Sequence, residues 1–111
     1  MSFAGFMDHF PALDVPIPQS IVTTRAIASD SGLVVFFTFH EDFELPAHSH
    51  KGQWGSVISG QLELTIDGKT VIHGPGDDYD IPSGVVHSVK VTAGTRAVDV
   101  FEESDRYGLM A

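Results

Sequence analysis

The chain contains no cysteine. Disulfides and thiolate metal sites are excluded, so any metal must rest on nitrogen and oxygen donors. Cations are scarce: six Lys and Arg stand against 15 Asp and Glu, for a formal charge of −9. Phosphate contacts need clustered cations, so nucleic acid is not an expected partner. Long apolar runs are missing too. Nothing approaches the ~20 residues of a membrane span, and no membrane partner is expected. Met1 to Phe10 has no basic start, and Asp8, His9 and Pro11 break any apolar run, so the stretch does not read as a signal peptide. A cytoplasmic location is the default expectation. Helical periodicity never persists for the ~11 residues that a helix assignment needs.

What is present fits one small domain of 111 residues, long enough to bury a core without staples. Residues 1–20 carry Pro11, Pro16 and Pro18, which favour extended or turn geometry. Their apolar members, among them Phe3, Phe6, Phe10 and Leu13, want burial. They read as an N-terminal extended arm packed along a barrel, its own or a partner's, with room for a short helical turn before Pro11. Residues 21–111 read as a single barrel domain. Ile21–Ala28 and Leu33–His40 are rich in the residues strands prefer, and Glu41–Pro46 reads as a polar loop. Leu62, Leu64 and Ile66 alternate with Glu63 and Thr65, a period of two. Asp67-Gly68 signals a hairpin. Ala47–Lys51 reads as extended, and further strands fall at Gly55–Ser59, Lys69–His73, Tyr79–Ile81, His87–Thr92 and Arg96–Glu102. Many short strands with regular turns indicate a sandwich or barrel.

Two segments carry chemistry. In His48-Ser49-His50, residues i and i+2 of a strand face one side, so both imidazoles can reach one ion. Gln53 offers a neutral amide oxygen. In the second segment, Gly76 to His87, the turn Pro82-Ser83-Gly84 re-aims His87 towards the barrel mouth.

These segments resemble the two motifs of the cupin superfamily. His48, His50, Gln53 and Gly60 match the first; Gly76, Pro82, Gly84 and His87 match the second at every spacing up to the histidine. The leading glycine of the first motif falls on Asp42, and the trailing asparagine of the second falls on Val91. A third departure concerns the metal. The family's ligand glutamate is replaced by Gln53, one residue closer to His50. Small cupins with a Gln-Trp-Gly stretch look like Gln53-Trp54-Gly55. The resemblance spans roughly residues 33–101.

It implies an all-β fold, the cupin double-stranded β-helix or jelly-roll barrel. It also implies one divalent transition metal (Fe, Mn, Ni, Zn or Cu) on His48, His50, His87 and Gln53. Three imidazoles and an amide leave the ion's charge uncancelled, so a small-molecule ligand or substrate, including an anionic one, is the expected partner. Open coordination positions suit a working site. The expected function is a metal-dependent enzyme of oxygenase, decarboxylase, lyase or isomerase type, and the alternative is a non-catalytic small-ligand or metal-binding module. A homodimer is expected, because the apolar arm exceeds what a lone barrel needs. Tyr79 and Glu63 are candidates for proton transfer. Phe37, Phe39, Trp54 and Tyr79 are expected inside the barrel. His40 and His73 are expected in solvent, as is the charged segment Glu102, Glu103, Asp105 and Arg106.

Overall fold

Alternation of inward and outward side chains along short strands builds two facing sheets. In a computed structural model, which describes residues 3–110, a 3-10 turn (Gly5–His9) precedes eleven strands. These are β1 (Leu13–Asp14), β2 (Val22–Ser29), β3 (Gly32–Phe39), β4 (Phe43–His48), β5 (Gln53–Ser59), β6 (Leu62–Ile66), β7 (Lys69–His73), β8 (Asp78–Ile81), β9 (His87–Val91), β10 (Arg96–Phe101) and β11 (Gly108–Leu109). One sheet runs β2-β3-β10-β5-β8, the other β4-β9-β6-β7, and β1 pairs with β11. Every pairing is antiparallel.

Strand β3 shows the pattern most clearly. Leu33, Val35, Phe37 and Phe39 are buried, with half-buried residues between them. They join Val57, Leu62, Leu64, Tyr79, Ile81, Val91 and Phe101 in one core cluster. Each such aliphatic or Phe side chain removed from water is worth about 1.5–3 kcal/mol. Phe37, Phe39 and Phe43 stack in series, with ring centroids 5.8 and 6.3 Å apart, and fill one end of the barrel. At the β6–β7 hairpin, Asp67 and Gly68 both adopt positive φ, 51° and 80°, which a tight two-residue turn requires.

The N-terminal residues lie along their own barrel. Phe3 and Phe10 pack on Phe36 at 5.6 and 6.2 Å. The Leu13 N–H donates to Thr24 Oγ1 at 2.9 Å, and Leu13 pairs with Leu109. The two ends of the described chain thus meet beside β2.

Three expectations are corrected. Glu41–Pro46 is no loop: Phe43 and Leu45 pair with Val91 and Val89, because β9 offers an unpaired edge with matching inward apolar residues. Trp54 does not enter the barrel. It alternates with the inward Gln53 and Gly55, so it faces out and is 42% exposed. His73 is half-buried rather than in solvent, since it pairs with the inward Leu62 and its ring lies 5.4 Å from that of Tyr79.

Candidate metal centre

A break in strand register places the first histidine. Phe43 and Leu45 point inward, so plain alternation would turn His48 outward. Between Leu45 and His48 the pairing with β9 shifts by one residue, from Leu45↔Val89 to His48↔His87. Such a bulge inserts an extra residue and reverses the facing. Pro46 lies in it and has no N–H to lose. His48 therefore faces in, opposite His87, and His50 follows two residues later. On the other side, Gly84 takes φ of 81°. Its N–H donates to the His50 carbonyl at 2.8 Å, tying the two histidine-bearing segments together.

The three rings converge. Centroids lie 4.2 Å apart for His48 and His87, 4.8 Å for His50 and His87, and 5.3 Å for His48 and His50. Each Nδ1 is held by a main-chain carbonyl: His48 by Pro46 at 2.9 Å, His50 by Lys51 at 2.6 Å and His87 by Val85 at 3.0 Å. A carbonyl only accepts, so every Nδ1 is the donor, and in the neutral ring Nε2 is then the nitrogen with the lone pair. Burial lowers the pKa of His50 and of His87 from its ordinary value, and the nearby Arg106 charge adds to this against the carbonyl bonds. Neutral rings are the form a metal takes.

The group fits one ion. One ligand atom from each histidine lies within 4.8 Å of the other two. Bonds of about 2.1 Å put neighbouring nitrogens on one ion about 3.0 to 3.6 Å apart, so the rings close by at most about 1 to 2 Å from that bound on binding it. His87 Nε2 is buried and has no hydrogen-bond partner among the described residues. An orphaned buried acceptor costs about 1–3 kcal/mol, and a metal at this point removes that penalty.

Gln53 borders the same cavity as the three histidines. Its amide Nε2 donates to Asp99 Oδ1 at 2.9 Å, and the Tyr79 hydroxyl donates to the same oxygen at 2.7 Å. Asp99 is 4% exposed. Burial raises its pKa to about 6 against the lowering effect of these two bonds. Tyr79 is driven well above its usual value, first by burial and then by the Asp99 charge. Asp99 escaped the sequence reading. Its one signal is a lone acid in the apolar run Ala97-Val98-Asp99-Val100-Phe101, at an inward-facing position. Glu63 is half-buried and does not border the cavity.

The cavity measures about 80 Å³. It is bordered by the histidines, by Gln53, Asp99 and Tyr79, and by Phe37, Phe39 and Phe43. No Lys or Arg borders it among the described residues. The C-terminal segment is in part the solvent-exposed edge expected of it: Glu102 and Asp105 are exposed, whereas Glu103 and Arg106 are half-buried and Tyr107 borders the cavity. Glu103 accepts the Lys51 N–H at 2.9 Å and Glu102 accepts that of Gly52 at 3.0 Å. Tyr107 packs edge-on to Phe101 at 5.9 Å, and Arg106 lies over the Tyr107 ring at 4.5 Å. Glu102 and Glu103 nonetheless bind the backbone of the histidine loop, a role that charge alone did not indicate.

Comparison with known proteins agrees with this geometry. The model of the Cupin domain family matches residues 35–101. No curated protein sequence matches. Among solved structures, an RmlC-like cupin from Shewanella frigidimarina superposes with a TM-score of 0.77 at 18% identity, covering 96% of this chain and 95% of its own. KdgF from a Halomonas species gives 0.72 at 19% identity, covering 84% and 89%. Oxalate decarboxylase from Bacillus subtilis, described with Mn(II) centres, gives 0.63 at 23% identity, covering 80% of this chain and 28% of its own. The chain belongs to the cupin family.

Proposed function

We propose that this cupin is a metal-dependent enzyme acting on a small organic molecule inside the barrel, with the ion on His48, His50, His87 and Gln53. One observation carries the reading: three imidazoles with Nδ1 on main-chain carbonyls bring ligand atoms within 4.8 Å of one another at an apolar cavity, and His87 Nε2 is buried there without a partner. Once bound, the ion would supply Lewis acidity or redox chemistry at its open positions. The chain's own residues do the rest. The main-chain carbonyls hold the imidazoles in one tautomer. The apolar wall excludes water and limits the substrate to a few heavy atoms beyond the ion. The reaction class is oxygenase, decarboxylase, lyase or isomerase. Manganese and iron are the metals to try first, since the oxalate decarboxylase relative carries Mn(II).

The test is metal analysis of protein purified without added metal, followed by turnover assays of the manganese and iron forms on small carboxylic acids, diketones and catechols. Co-purified metal and turnover support the reading. Binding no tighter than that of a His48→Ala/His87→Ala variant ends it. A second reading, a non-catalytic ligand-binding module, draws on the pairing of Asp99 and Tyr79. They are the two titratable cavity residues besides the histidines and Tyr107, and each is already hydrogen-bonded to the other. Thermal shifts with small acids and no turnover with any metal would favour it.

The partner at the outer surface is a second copy of the chain. Ile27, Val34, Val100 and Trp54 lie side by side across β2, β3, β10 and β5. Ile27, Val100 and Trp54 are 49%, 37% and 42% exposed. A two-fold axis through such a row pairs it with itself.

A further inference from the structure

Gln53 is an unusual donor, because an amide can present either its oxygen or its NH2 group to an ion, and only the oxygen binds. Something must choose. Inward-facing positions of β10, β5 and β8 form a row in which Asp99 lies opposite Gly55 and Gly55 opposite Tyr79. Glycine leaves the middle of that row open. A Cβ at Gly55 would collide with Asp99 Oδ1 and with the Tyr79 ring. Across this gap the Tyr79 hydroxyl reaches Asp99 Oδ1 at 2.7 Å, and Gln53 Nε2 reaches the same atom at 2.9 Å. That oxygen accepts two donors, so the amide nitrogen is turned to Asp99. Gln53 Oε1 makes no hydrogen bond among the described residues, and it is the end left for the histidine cluster.

We propose that Asp99 is a positioning residue: it fixes the Gln53 amide so that Oε1, not the NH2 group, is offered to the ion, with Gly55 keeping the path open. This rests on the reading of Gln53 as a metal donor. Hydrogen-bond partners of metal ligands change affinity by about 10–100-fold when removed.

The experiment is Co(II) titration of the metal-free protein against a competing chelator, with the visible Co(II) spectrum as a second readout and the unfolding midpoint of each apo variant as a control. Gln53→Ala is expected to weaken binding about tenfold, and Asp99→Leu, which removes the acceptor at similar volume, by a similar factor. The double variant Gln53→Ala/Asp99→Leu should bind within about twofold of Gln53→Ala, because the two residues act as one. The reciprocal swap Gln53→Glu/Asp99→Asn should recover affinity, since the amide–carboxylate bond survives with its partners exchanged. It also keeps the test readable if Asp99→Leu alone fails to fold.

Wild-type affinity and spectrum in Asp99→Leu would overturn the proposal. So would an Asp99→Leu loss that is undiminished in the Gln53→Ala background, or a swap that binds no better than Asp99→Leu. If Gln53→Ala binds like wild type while His48→Ala/His87→Ala does not bind, Gln53 is no donor; the proposal falls and the three-histidine centre stands. If the double histidine variant binds like wild type, the metal reading falls with it.

Discussion

Each face of the sheet β2-β3-β10-β5-β8 carries a patch that departs from the usual half-buried pattern, polar inside an apolar core and apolar on the outside. Its inner face carries Gln53, Asp99 and Tyr79, joined by hydrogen bonds. Its outer face carries Ile27, Val34, Val100 and Trp54 in register. A structural sheet puts apolar residues in and polar ones out. Burying an acid is expensive unless it is paired, and an apolar row in water is a loss unless it is covered. The inner face is explained if it organises a cation site, and the outer face if it meets another surface. The opposite sheet holds His48 and His87 on its inner face beside Leu62, Leu64 and Val91, while Thr70 and Lys90 face out.

The largest test of this contrast is at the histidines. His48→Ala/His87→Ala should weaken Mn(II) or Co(II) binding by more than about 100-fold, since each loss removes a full donor. It should leave the association state unchanged, as measured by sedimentation. In wild type, metal at 100 times its Kd should stabilise the fold by about 2.7 kcal/mol. The double variant should show no such shift in a denaturant titration. Equal metal stabilisation in both proteins would break the inner half of the comparison.

Gly55 comes next. Gly55→Ala sets a methyl between Asp99 and Tyr79, and overpacking of a filled interior costs about 1–3 kcal/mol. The outward-facing change Ser56→Ala on the same strand should cost much less. Similar unfolding midpoints for the two variants would show that the inner row tolerates an added Cβ and is looser than its hydrogen bonds indicate.

Much of this was legible in the sequence. The barrel followed from strand alternation and turns. His48, His50 and His87 followed from two motifs with matched spacing. What stayed hidden was cross-strand. Asp99 meets Gln53 and Tyr79 only because β10, β5 and β8 are neighbours in the sheet, at separations of 46 and 20 residues. The Leu45–His48 bulge is a register event, which one strand's pattern cannot reveal. Trp54 was misplaced because a large aromatic was taken as core, although its parity opposite Gln53 already turned it outward. The charge of the centre also reads differently with Asp99 in view. Three imidazoles and an amide are neutral donors, but a buried carboxylate stands one hydrogen bond behind the amide. An ion held by that set would have part of its charge balanced there, and would demand a bound anion less strongly than the donor set alone implies.

The smallest expected effect tests the outer half of the comparison. Trp54 is the single tryptophan, and it sits in the exposed row, so its emission reports on that surface alone. If a second copy covers the row, dilution to low micromolar concentration and below should move the emission maximum to longer wavelength as the indole enters water. Val100→Lys, next to Trp54 in register, should give the red-shifted spectrum at every concentration, because two lysines would face each other across a two-fold axis. Metal affinity should not follow, since both side chains point away from the cavity. A concentration-independent spectrum in wild type, with a monomer mass by sedimentation, would leave the apolar row uncovered and remove the argument that its composition reflects self-association.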